Sequence, residues 1–319
     1  MTSNVVLITG GSGFLGRSLA VSLRERGHRV VLGARNNAHN ARAERATGCE
    51  SVPLDVASIE SVRDALAEFR PGIVVHAAAT KFVDLSERQP MECIDVNVLG
   101  SQNVVRACIE RGVSLLVGVS TDKAAPPAGN LYGLSKAAME RMLCSMNGRG
   151  GLTTTCVRFG NIAWSTGSVL PIWKRMHEES GVIGSTGPDM RRFFFTVEEA
   201  SELVLRAIDH APTVAGKVLS VEMKAAQVRQ LLDVWTKVRG GRWERIEERP
   251  GDKIDEHLIG STELGHTSRV VLDDKPHFLI DFANKADSPV EEVSTATAAA
   301  MSEEEIRRLL DAEPASEAP

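Results

Sequence analysis

The stretch Val5-Val6-Leu7-Ile8-Thr9-Gly10-Gly11-Ser12-Gly13-Phe14-Leu15-Gly16 decides the fold of this 319-residue chain. Its apolar start predicts a buried strand, and Leu15, Leu19 and Leu23 share one face of the helix that follows. Between them, the glycines allow a tight turn, close approach of a pyrophosphate and close packing of helix on strand. The helix amides and dipole favour an anion there, although a plain glycine-rich turn would look the same. We predict a dinucleotide-binding loop, with cofactor contacts from Gly10, Ser12, Gly13, Phe14 and Leu15.

Short apolar runs alternate with helical patterns through the first half of the chain. Further strands are predicted at residues 30–32, 51–54, 73–75 and 115–119, with helices at 58–69, 96–110 and 131–147. Continuous apolar strands between helices predict a parallel sheet covered on both faces, and right-handed crossovers make it doubly wound. We therefore expect an α/β, Rossmann-like fold with a smaller C-terminal substrate-binding lid domain.

The alternation weakens after Gly160, which suggests a division of the chain. We expect a dinucleotide-binding domain over residues 1–160, to which 196–222 return, and a smaller substrate-binding region over 161–284. Residues 285–319 hold nine acidic and three basic side chains, a net charge of −6, and are rich in Ala, Ser and Thr. Apart from one short helical pattern at 303–310, they are expected to form a flexible acidic tail.

Composition excludes several functional classes. With 43% hydrophobic and 25% charged residues, the chain has ordinary globular composition, and its apolar runs are shorter than the ~18 residues of a membrane span. The net charge is −5, so the chain without its tail is close to neutral at +1, and only 4% of residues are aromatic. These values predict no nucleic-acid or membrane partner. Five cysteines without a CxxC pair and eight histidines without a ligand motif predict reduced thiols, a cytoplasmic location and no metal.

The end of the second strand bears on the choice of dinucleotide. NAD-selective sites usually place an acidic residue there, but this chain has Gly33-Ala34-Arg35-Asn36. A guanidinium suits a 2′-phosphate, so we predict NADP bound by Arg35 and Asn36, with NAD as the alternative if Arg35 is merely a surface residue. Further contacts are predicted where the third and fourth strands end, at Asp55, Val56, Ala77, Ala78 and Ala79. His76 precedes these alanines, and a satisfied buried histidine is an equal alternative to a functional one.

Tyr132 and Lys136 form a YxxxK pair on a predicted helix, where one turn places both side chains on one face. A neighbouring ammonium favours the phenolate and so lowers the pKa of the tyrosine. Tyr132 is the only tyrosine in the chain, and it follows the strand that ends at Val119. We predict that Tyr132 accepts a hydroxyl proton at the carboxyl end of the sheet.

Together, TGGSGFLG (9–16), HAAA (76–79), Ser120-Thr121 and Tyr132-xxx-Lys136 resemble the extended short-chain dehydrogenase/reductase superfamily. The segments STDKAA (120–125), DVNVLGSQNVV (95–105) and VRFGNIAWSTGSVLP (157–171) resemble its bacterial polysaccharide-biosynthesis branch more closely. PDMRRFF (188–194) and RPGDK (249–253) match this branch in the same order. Typical members are inverting UDP-N-acetylglucosamine 4,6-dehydratases, and the resemblance covers about residues 5 to 260.

The resemblance implies an internal redox cycle on a nucleotide sugar. Tyr132, with Lys136, would take the C4 hydroxyl proton as hydride leaves for NADP, and Thr121 would hold the C4 oxygen. Lys123 would then remove the C5 proton, and Asp122 would protonate the departing C6 hydroxyl. This chemistry requires a neutral amine beside a protonated carboxylic acid, which burial favours and their mutual ion pair opposes.

The same resemblance assigns residues to the ligands. Asn97 would contact the cofactor, Arg192 and Arg249 would bind the diphosphate, and Asp252 would bind the uridine ribose. Lys81, Asn161 and Ser168 would line the sugar site, although each of these residues is equally open to a structural role. A UDP-hexosamine substrate and a homo-oligomer are the family expectations.

The chain departs from the family pattern on the substrate side. The loop AAPPAGNL (124–131) is one residue longer than usual, Trp164 and Thr166 replace the common residues, and Asp252 replaces Glu. The sugar's identity therefore stays open. A nucleotide-sugar C4 epimerase, a dehydratase of different regiochemistry in a specialised pathway, and a silent NADP-binding protein are the alternatives.

Overall fold

The computed structural model describes residues 3–247 and 253–314, which form sixteen strands and twelve α-helices. The strands are β1 (Val5–Thr9), β2 (Arg29–Ala34), β3 (Glu50–Pro53), β4 (Ile73–His76), β5 (Leu115–Val119), β6 (Thr153–Arg158), β7 (Asn161–Ile162), β8 (Val182–Ser185), β9 (Arg191–Phe195), β10 (Val218–Val221), β11 (Ala225–Gln227), β12 (Arg242–Arg245), β13 (His257–Ile259), β14 (Thr267–Leu272), β15 (Lys275–Ile280) and β16 (Val293–Ser294). The helices are α1 (Phe14–Glu25), α2 (Asn37–Thr47), α3 (Ile59–Phe69), α4 (Val83–Arg88), α5 (Pro90–Ile94), α6 (Gly100–Arg111), α7 (Leu131–Ser145), α8 (Val169–Ser180), α9 (Val197–Asp209), α10 (Ala211–Val214), α11 (Val228–Arg239) and α12 (Glu303–Asp311).

A nine-stranded sheet forms the centre of the molecule, in the order β14-β15-β10-β6-β5-β4-β1-β2-β3. The seven strands from β10 to β3 are parallel, and their order reverses beside β1, as in a doubly wound fold. Strands β4 and β5 are apolar along nearly their whole length because helices cover the sheet. The predicted Rossmann-like fold is confirmed.

The main sheet takes more of the second half of the chain than the sequence suggested. Helix α9 packs against α1, and β10 pairs with β6, so residues 196–222 lie within the Rossmann layer. Strands β14 and β15 then add an antiparallel hairpin to β10, although they fall within the region 161–284 that we expected to bind substrate. Alternation within a short strand does not reveal which sheet it joins, because the partner strand is distant in sequence.

A second, smaller core lies among the remaining elements, and we call it the tryptophan cluster. Its members are Ala163, Trp164, Leu170, Trp173, Ile183, Phe194, Ala226, Leu231, Leu232, Val234, Trp235, Ile306, Leu309 and Leu310. The Trp235 ring centroid lies about 6 Å from those of the other two indoles, Trp164 and Trp173. The cluster joins α8, α11 and α12 into one compact unit, which we call the lid.

The acidic tail differs from its expectation as a flexible segment. Three apolar side chains of α12 are buried in the tryptophan cluster, and a capping box at Ser302 and Glu305 begins the helix. Strand β16 pairs with β13, which brings residues near 293 back to the lid. Although the composition of the tail is polar, α12 is amphipathic. Its nine residues bury enough apolar surface to hold the helix against the tryptophan cluster.

Among the described residues, no helix combines the length and the apolar character that crossing a membrane requires.

Candidate active site

The glycine loop between β1 and α1 forms a close backbone cradle. Gly10 has a φ of 71°, and a Cβ atom on it would lie 2.8–2.9 Å from the backbone of Ala77 and Ala78. A Cβ on Gly16 would lie 2.6 Å from the carbonyl oxygen of Gly11, so only glycine lets α1 start this close to the strand. The loop thus has the close backbone packing that a pyrophosphate-binding turn requires.

The N-terminus of α1 faces the glycine loop, and neither a capping nor an acidic side chain competes with an anion for its amides. Gly13 is the N-cap residue and provides no side-chain cap, and the first turn contains no acidic residue. Ser12, Phe14 and Leu15 are partly exposed around it. The first-turn amides and the positive end of the helix dipole are therefore placed to bind phosphate oxygens.

The predicted 2′-phosphate residues follow β2. Arg35 is 57% exposed and approaches the Glu92 carboxylate only loosely, at 3.7 Å. Asn36 caps α2, because its Oδ1 accepts from the amide of His39 at 3.0 Å. Asn40, which the sequence did not single out, is buried beside them and donates to the Ala34 carbonyl oxygen at 2.9 Å, while its Oδ1 has no partner. Arg35 is thus accessible to a ligand, whereas Asn36 also has a structural role.

The ends of β3 and β4 line the same edge of the sheet. Asp55 makes a tight turn in which its Oδ1 accepts from the Ala57 amide at 3.0 Å, and Val56 is buried beside it. After β4, Ala77, Ala78 and Ala79 remain half-buried next to the glycine loop. Small side chains at these positions leave room for a cofactor to pass close to the backbone.

His76 is a structural histidine held by a closed chain of hydrogen bonds. Ser101 donates to the Asn97 carbonyl oxygen at 2.6 Å, so its Oγ accepts from His76 Nε2 at 2.9 Å. The unprotonated Nδ1 then accepts from Thr9 Oγ1 at 2.8 Å. Burial, together with the Lys136 ammonium, lowers the pKa of His76 to about 3. The neutral ring therefore connects β1, β4 and the helical segment at residues 97–101.

Asn97 lies in a π-helical turn at Asp95–Leu99, which separates α5 from α6. Its Oδ1 accepts from the Thr80 amide at 2.8 Å, and its Nδ2 donates to the Thr80 carbonyl oxygen and to Ser135 Oγ, both at 2.9 Å. Such turns are frequent at functional sites. In the protein alone, Asn97 fixes the loop after β4 to the tyrosine helix rather than pointing at open space.

Thr121, Asp122 and Lys123 form a buried turn directly after β5. Thr121 Oγ1 donates to Asp122 Oδ1 at 2.9 Å, and Lys123 Nζ donates to the same oxygen at 3.1 Å. Asp122 Oδ2 is buried without a partner, as is the hydroxyl of Ser120. Burial would lower the pKa of Lys123, but Asp122 and Glu256 raise it above its ordinary value. The pair is therefore an ion pair in the protein alone.

Tyr132 and Lys136 are buried on α7, beside this turn. Burial raises the pKa of Tyr132 to about 12, and the largest opposing effect comes from the Lys123 ammonium, where the sequence suggested Lys136. Burial also lowers the pKa of Lys136 to about 8, and its Nζ lies 3.0 Å from Met139 Sδ. Hydrogen bonds join Thr121, Asp122 and Lys123, and Tyr132 lies close enough to interact with all three. The structure therefore brings four of the predicted groups together.

The predicted sugar-site residues surround this turn unequally. Asn161 accepts from Lys123 Nζ at 3.3 Å and donates to the Phe193 carbonyl oxygen at 3.1 Å. Ser168 begins α8, and its buried hydroxyl has no partner. Lys81 is exposed, with its Nζ 5.6 Å from the centre of the Phe82 ring. Asn161 therefore contacts Lys123 directly, and the Ser168 hydroxyl has no partner within the described residues.

The two departures in the loop before α8 lie in different surroundings. Thr166 is exposed, whereas Trp164 is buried in the tryptophan cluster and donates from Nε1 to the Leu309 carbonyl oxygen at 3.0 Å. Trp164 also has a positive φ of 61°, which is unusual for an aromatic residue. Its bulky ring packs against the residues of α12.

The predicted diphosphate residues include only one that the structure describes. Arg192 on β9 is 14% exposed, and its Nε lies 4.0 Å from Glu256 Oε1. Arg249 and Asp252 lie outside the described residues. Glu256 itself was missed by the sequence analysis, because two adjacent acids, Asp255 and Glu256, suggest a solvated surface. Its position three residues after the RPGDK match was the only available signal.

A buried ion triad of Arg158, Glu140 and Glu263 links two segments that carry candidate site residues. Arg158 is fully buried and makes two hydrogen bonds to Glu140 on α7, at 2.9 and 2.6 Å. Two more, at 2.7 and 2.8 Å, join it to Glu263. It also donates to the Leu258 carbonyl oxygen at 3.0 Å. The triad thereby fixes the tyrosine helix to the segment that carries Glu256.

Comparison with known proteins places this arrangement in a family. Residues 6–271 match the family described as "Polysaccharide biosynthesis protein". The chain belongs to this polysaccharide biosynthesis family. It is 34% identical to the capsular polysaccharide biosynthesis protein CapD of Staphylococcus aureus over 83% of the chain, but it spans only 46% of the length of CapD. An inverting UDP-N-acetylglucosamine 4,6-dehydratase of Campylobacter jejuni is 29% identical over 81% of the chain and 78% of that protein. The predicted family membership is confirmed.

Solved structures extend this family relation to the whole fold. Pen from Bacillus thuringiensis superposes with a TM-score of 0.88 at 26% identity, covering 97% of both chains. The NAD complex of UDP-glucose 4-epimerase from Thermus thermophilus superposes with a TM-score of 0.70 at 25% identity, over 78% of this chain and 88% of that one. Because the superposition on Pen covers 97% of this chain, it includes the lid and most of the segment 285–319.

Proposed function

We propose that this chain is an NADP-dependent nucleotide-sugar 4,6-dehydratase that acts on UDP-N-acetylglucosamine or a related UDP-hexose. The observation that carries the proposal is the buried Asp122–Lys123 pair, with Nζ 3.1 Å from Oδ1, beside Tyr132 at the end of β5. An enzyme that only oxidises and reduces C4 needs the tyrosine but has no use for an acid–base pair. The relatives named as UDP-N-acetylglucosamine 4,6-dehydratases support this choice of reaction.

The described residues fit the cofactor and suggest its type. The glycine loop and the α1 N-terminus would hold the pyrophosphate, and Arg35 would bind a 2′-phosphate. When bound, NADP supplies the acceptor for the hydride from C4 and returns that hydride to C6. Neighbouring structures that contain NAD support a nicotinamide cofactor, and the exposed Arg35 favours the phosphorylated form.

The residues of the site would then act in sequence. Thr121 and Tyr132 bind the C4 oxygen, and Tyr132 accepts its proton. The resulting 4-keto group acidifies the C5 proton. Once the shared proton of the Asp122–Lys123 pair has moved to Asp122, Lys123 removes the C5 proton, and Asp122 protonates the departing C6 hydroxyl, which leaves as water. Asn161 orients the Lys123 amine, to which it is already hydrogen-bonded. Ser168 and Arg192 hold the sugar and the diphosphate, with Arg249 and Asp252 completing the nucleotide site.

A second candidate is a nucleotide-sugar C4 epimerase, which the fold similarity to UDP-glucose 4-epimerase favours. Both reactions begin with C4 oxidation, so the fate of C5 and C6 separates them. An epimerase returns hydride to C4 after the ketone rotates, and its product has the mass of its substrate.

The first test is incubation of the purified protein with NADP and UDP-N-acetylglucosamine in D₂O, followed by mass and proton spectra. We expect loss of one water, one deuterium at C5 and a new C6 methyl group. A product of unchanged mass would instead establish epimerisation, and an unchanged substrate would contradict UDP-N-acetylglucosamine as the sugar.

A matched variant tests the role of Lys123. Lys123→Ala should still oxidise C4 but should incorporate no deuterium at C5, because it lacks the amine that removes the proton. Tyr132→Phe serves as the control, since it should lose the C4 oxidation as well. Normal deuterium incorporation by Lys123→Ala would remove Lys123 from the mechanism.

A further inference from the structure

The loop between β7 and α8 carries two of the predicted sugar-site residues and has a constrained backbone. Asn161 lies at its start, where it is hydrogen-bonded to Lys123, and Ser168 lies at its end. Between them, Trp164 and Gly167 both have positive φ values, 61° and 74°. A residue other than glycine keeps such a conformation only where its surroundings hold it. The contacts of Trp164 therefore determine the shape of this loop.

The side chain of Trp164 is held by the C-terminal part of the chain. Its Nε1 donates to the Leu309 carbonyl oxygen of α12 at 3.0 Å. The Arg239 guanidinium lies over the same indole, 5.1 Å from the ring centre. Arg239 also donates to the Leu310 carbonyl oxygen at 2.9 Å and pairs with Glu313 at 2.6 Å. Contacts with α12, both direct and through Arg239, thus stabilise the unusual conformation of Trp164.

The C-terminal part of the chain also joins the small sheet on which Asn161 and Arg192 lie. Strand β9, which contains Arg192, pairs with β7 on one side and with β11 on the other. The Ala225 amide of β11 donates to the Ala299 carbonyl oxygen at 3.0 Å, and the Met301 amide donates to the Ala225 carbonyl oxygen at 2.8 Å. The backbone before α12 therefore extends this sheet beyond β11.

A third set of contacts involves β16, which pairs with β13. The Thr295 amide donates to the Glu256 carbonyl oxygen at 2.9 Å, and the Glu256 amide donates to Thr295 Oγ1 at 3.0 Å. Glu256 Oε1 in turn lies 4.0 Å from Arg192 Nε. Residues 293–313, which we call the strap, therefore contact the loop 161–168, the sheet that contains β9, and the segment beside Arg192.

Resting on the proposed nucleotide-sugar function, we propose that the strap positions the sugar side of the active site and so sets the affinity for the nucleotide sugar. Trp164 and Arg239 are positioning residues, because they hold the loop 161–168 and take no part in the reaction. Their contacts lie on the lid, whereas the glycine loop belongs to the Rossmann layer. The strap should therefore affect nucleotide-sugar binding but not cofactor binding.

Trp164→Phe tests this role, since it removes the indole N–H and keeps an aromatic ring. Calorimetry uses protein loaded with NADPH, which cannot accept a hydride, so the sugar does not react. We expect UDP-N-acetylglucosamine to bind about two- to tenfold more weakly, because one hydrogen bond is lost, and NADPH binding to stay within about twofold. Arg239→Met should act in the same direction. Trp243→Phe is the matched control, because that indole donates to Asp233 at 2.9 Å, and it should resemble the wild type.

An equal loss of affinity for the sugar nucleotide and for NADPH would overturn the proposal, because it would indicate a general loss of structure. Unchanged affinity for the sugar nucleotide in both strap variants would overturn it as well. If UDP-N-acetylglucosamine does not bind the wild type, the proposed substrate is contradicted, and a measurement without ligand decides the role of the strap.

Amide hydrogen exchange, followed by peptide mass spectrometry, is that measurement. We expect Trp164→Phe and Arg239→Met to increase the exchange rate in peptides that cover residues 161–168, because local opening depends on the contacts of the segment that opens. Peptides from β1 and α1 should exchange as in the wild type, and so should all peptides of Trp243→Phe outside its own site. Unchanged exchange at 161–168 in both strap variants would overturn the proposal.

Discussion

Arg35 is the residue on which the choice between the two dinucleotides depends. Its guanidinium is more than half exposed and only loosely paired, so a 2′-phosphate can bind it at little cost. Arg35→Ala should weaken NADP binding by at least tenfold and leave NAD binding within about twofold, since a charge-assisted hydrogen bond contributes ~1.5–3 kcal/mol. Calorimetric titration with both cofactors measures this. Arg45→Ala, which removes an exposed arginine near the end of α2, is the control, and equal weakening of NADP and NAD by Arg35→Ala would contradict the assignment.

The local sequence predicts the loop and the helix that carry the candidate residues, because this signal is short-range. The glycine loop depends on neighbours in the chain, and Tyr132 and Lys136 are one helical turn apart, so spacing alone places them. Glu256 could not be found in this way, because its burial depends on packing against a turn more than 130 residues earlier. Helical spacing also gives no information about burial, which raises the pKa of Tyr132, and the largest opposing effect comes from Lys123 rather than from Lys136.

At the scale of elements, the Arg158 triad joins α7 to the segment before β14. Arg158→Met should reduce the free energy of unfolding by about 3–5 kcal/mol, because it leaves Glu140 and Glu263 buried without their cation. Without the guanidinium, burial raises the pKa of both acids in the folded state above the unfolded value. The folded variant therefore binds protons more tightly, and its deficit should widen as the pH increases from 5 to 8.

Urea unfolding at several pH values measures this deficit. Arg269→Met is the matched control, since Arg269 is exposed on β14 and pairs loosely with Glu222 at 3.6 Å. Its effect should stay within about 0.5 kcal/mol at every pH. A deficit in Arg158→Met that does not change with pH would show that the two acids find other partners.

The elements that the sequence misplaced are those whose partners are distant. Strands β14 and β15 have an ordinary hairpin pattern, and nothing in that pattern specifies β10 as their neighbour. The sequence predicts Trp164 to be a substrate-side substitution, because its neighbours in sequence are predicted to contact the substrate. The structure shows that its indole packs on α12, about 145 positions later, which no local pattern could predict.

At the scale of the whole molecule, the lid contains all the tryptophans of the chain. Three belong to the tryptophan cluster and Trp243 packs against it, so intrinsic fluorescence reports on the lid, whereas circular dichroism reports on the entire fold. Leu310→Ala should destabilise the cluster by about 2–5 kcal/mol, because Leu310 is fully buried there. We expect the fluorescence transition of this variant to occur at lower temperature than its dichroism transition.

Arg308→Ala is the control on the same helix, since Arg308 is 70% exposed and pairs with Glu304. It should leave both transitions unchanged. If Leu310→Ala lowers the two transitions together, the lid and the Rossmann layer unfold as one cooperative unit, and the separate stability of the lid is excluded.

The residues of the Arg158 triad are far apart in sequence, and this separation affects folding during synthesis. Glu140 leaves the ribosome 18 residues before Arg158, but Glu263 follows it 105 residues later. At ~5–20 residues per second, synthesis of the 105 residues from Arg158 to Glu263 takes about 5–20 s. During this time Arg158 has only one of its two carboxylate partners. The partner strand of β10 is also unmade in this interval, so the nascent sheet has an open edge. We expect this stage of synthesis, rather than the finished protein, to need the most protection from aggregation.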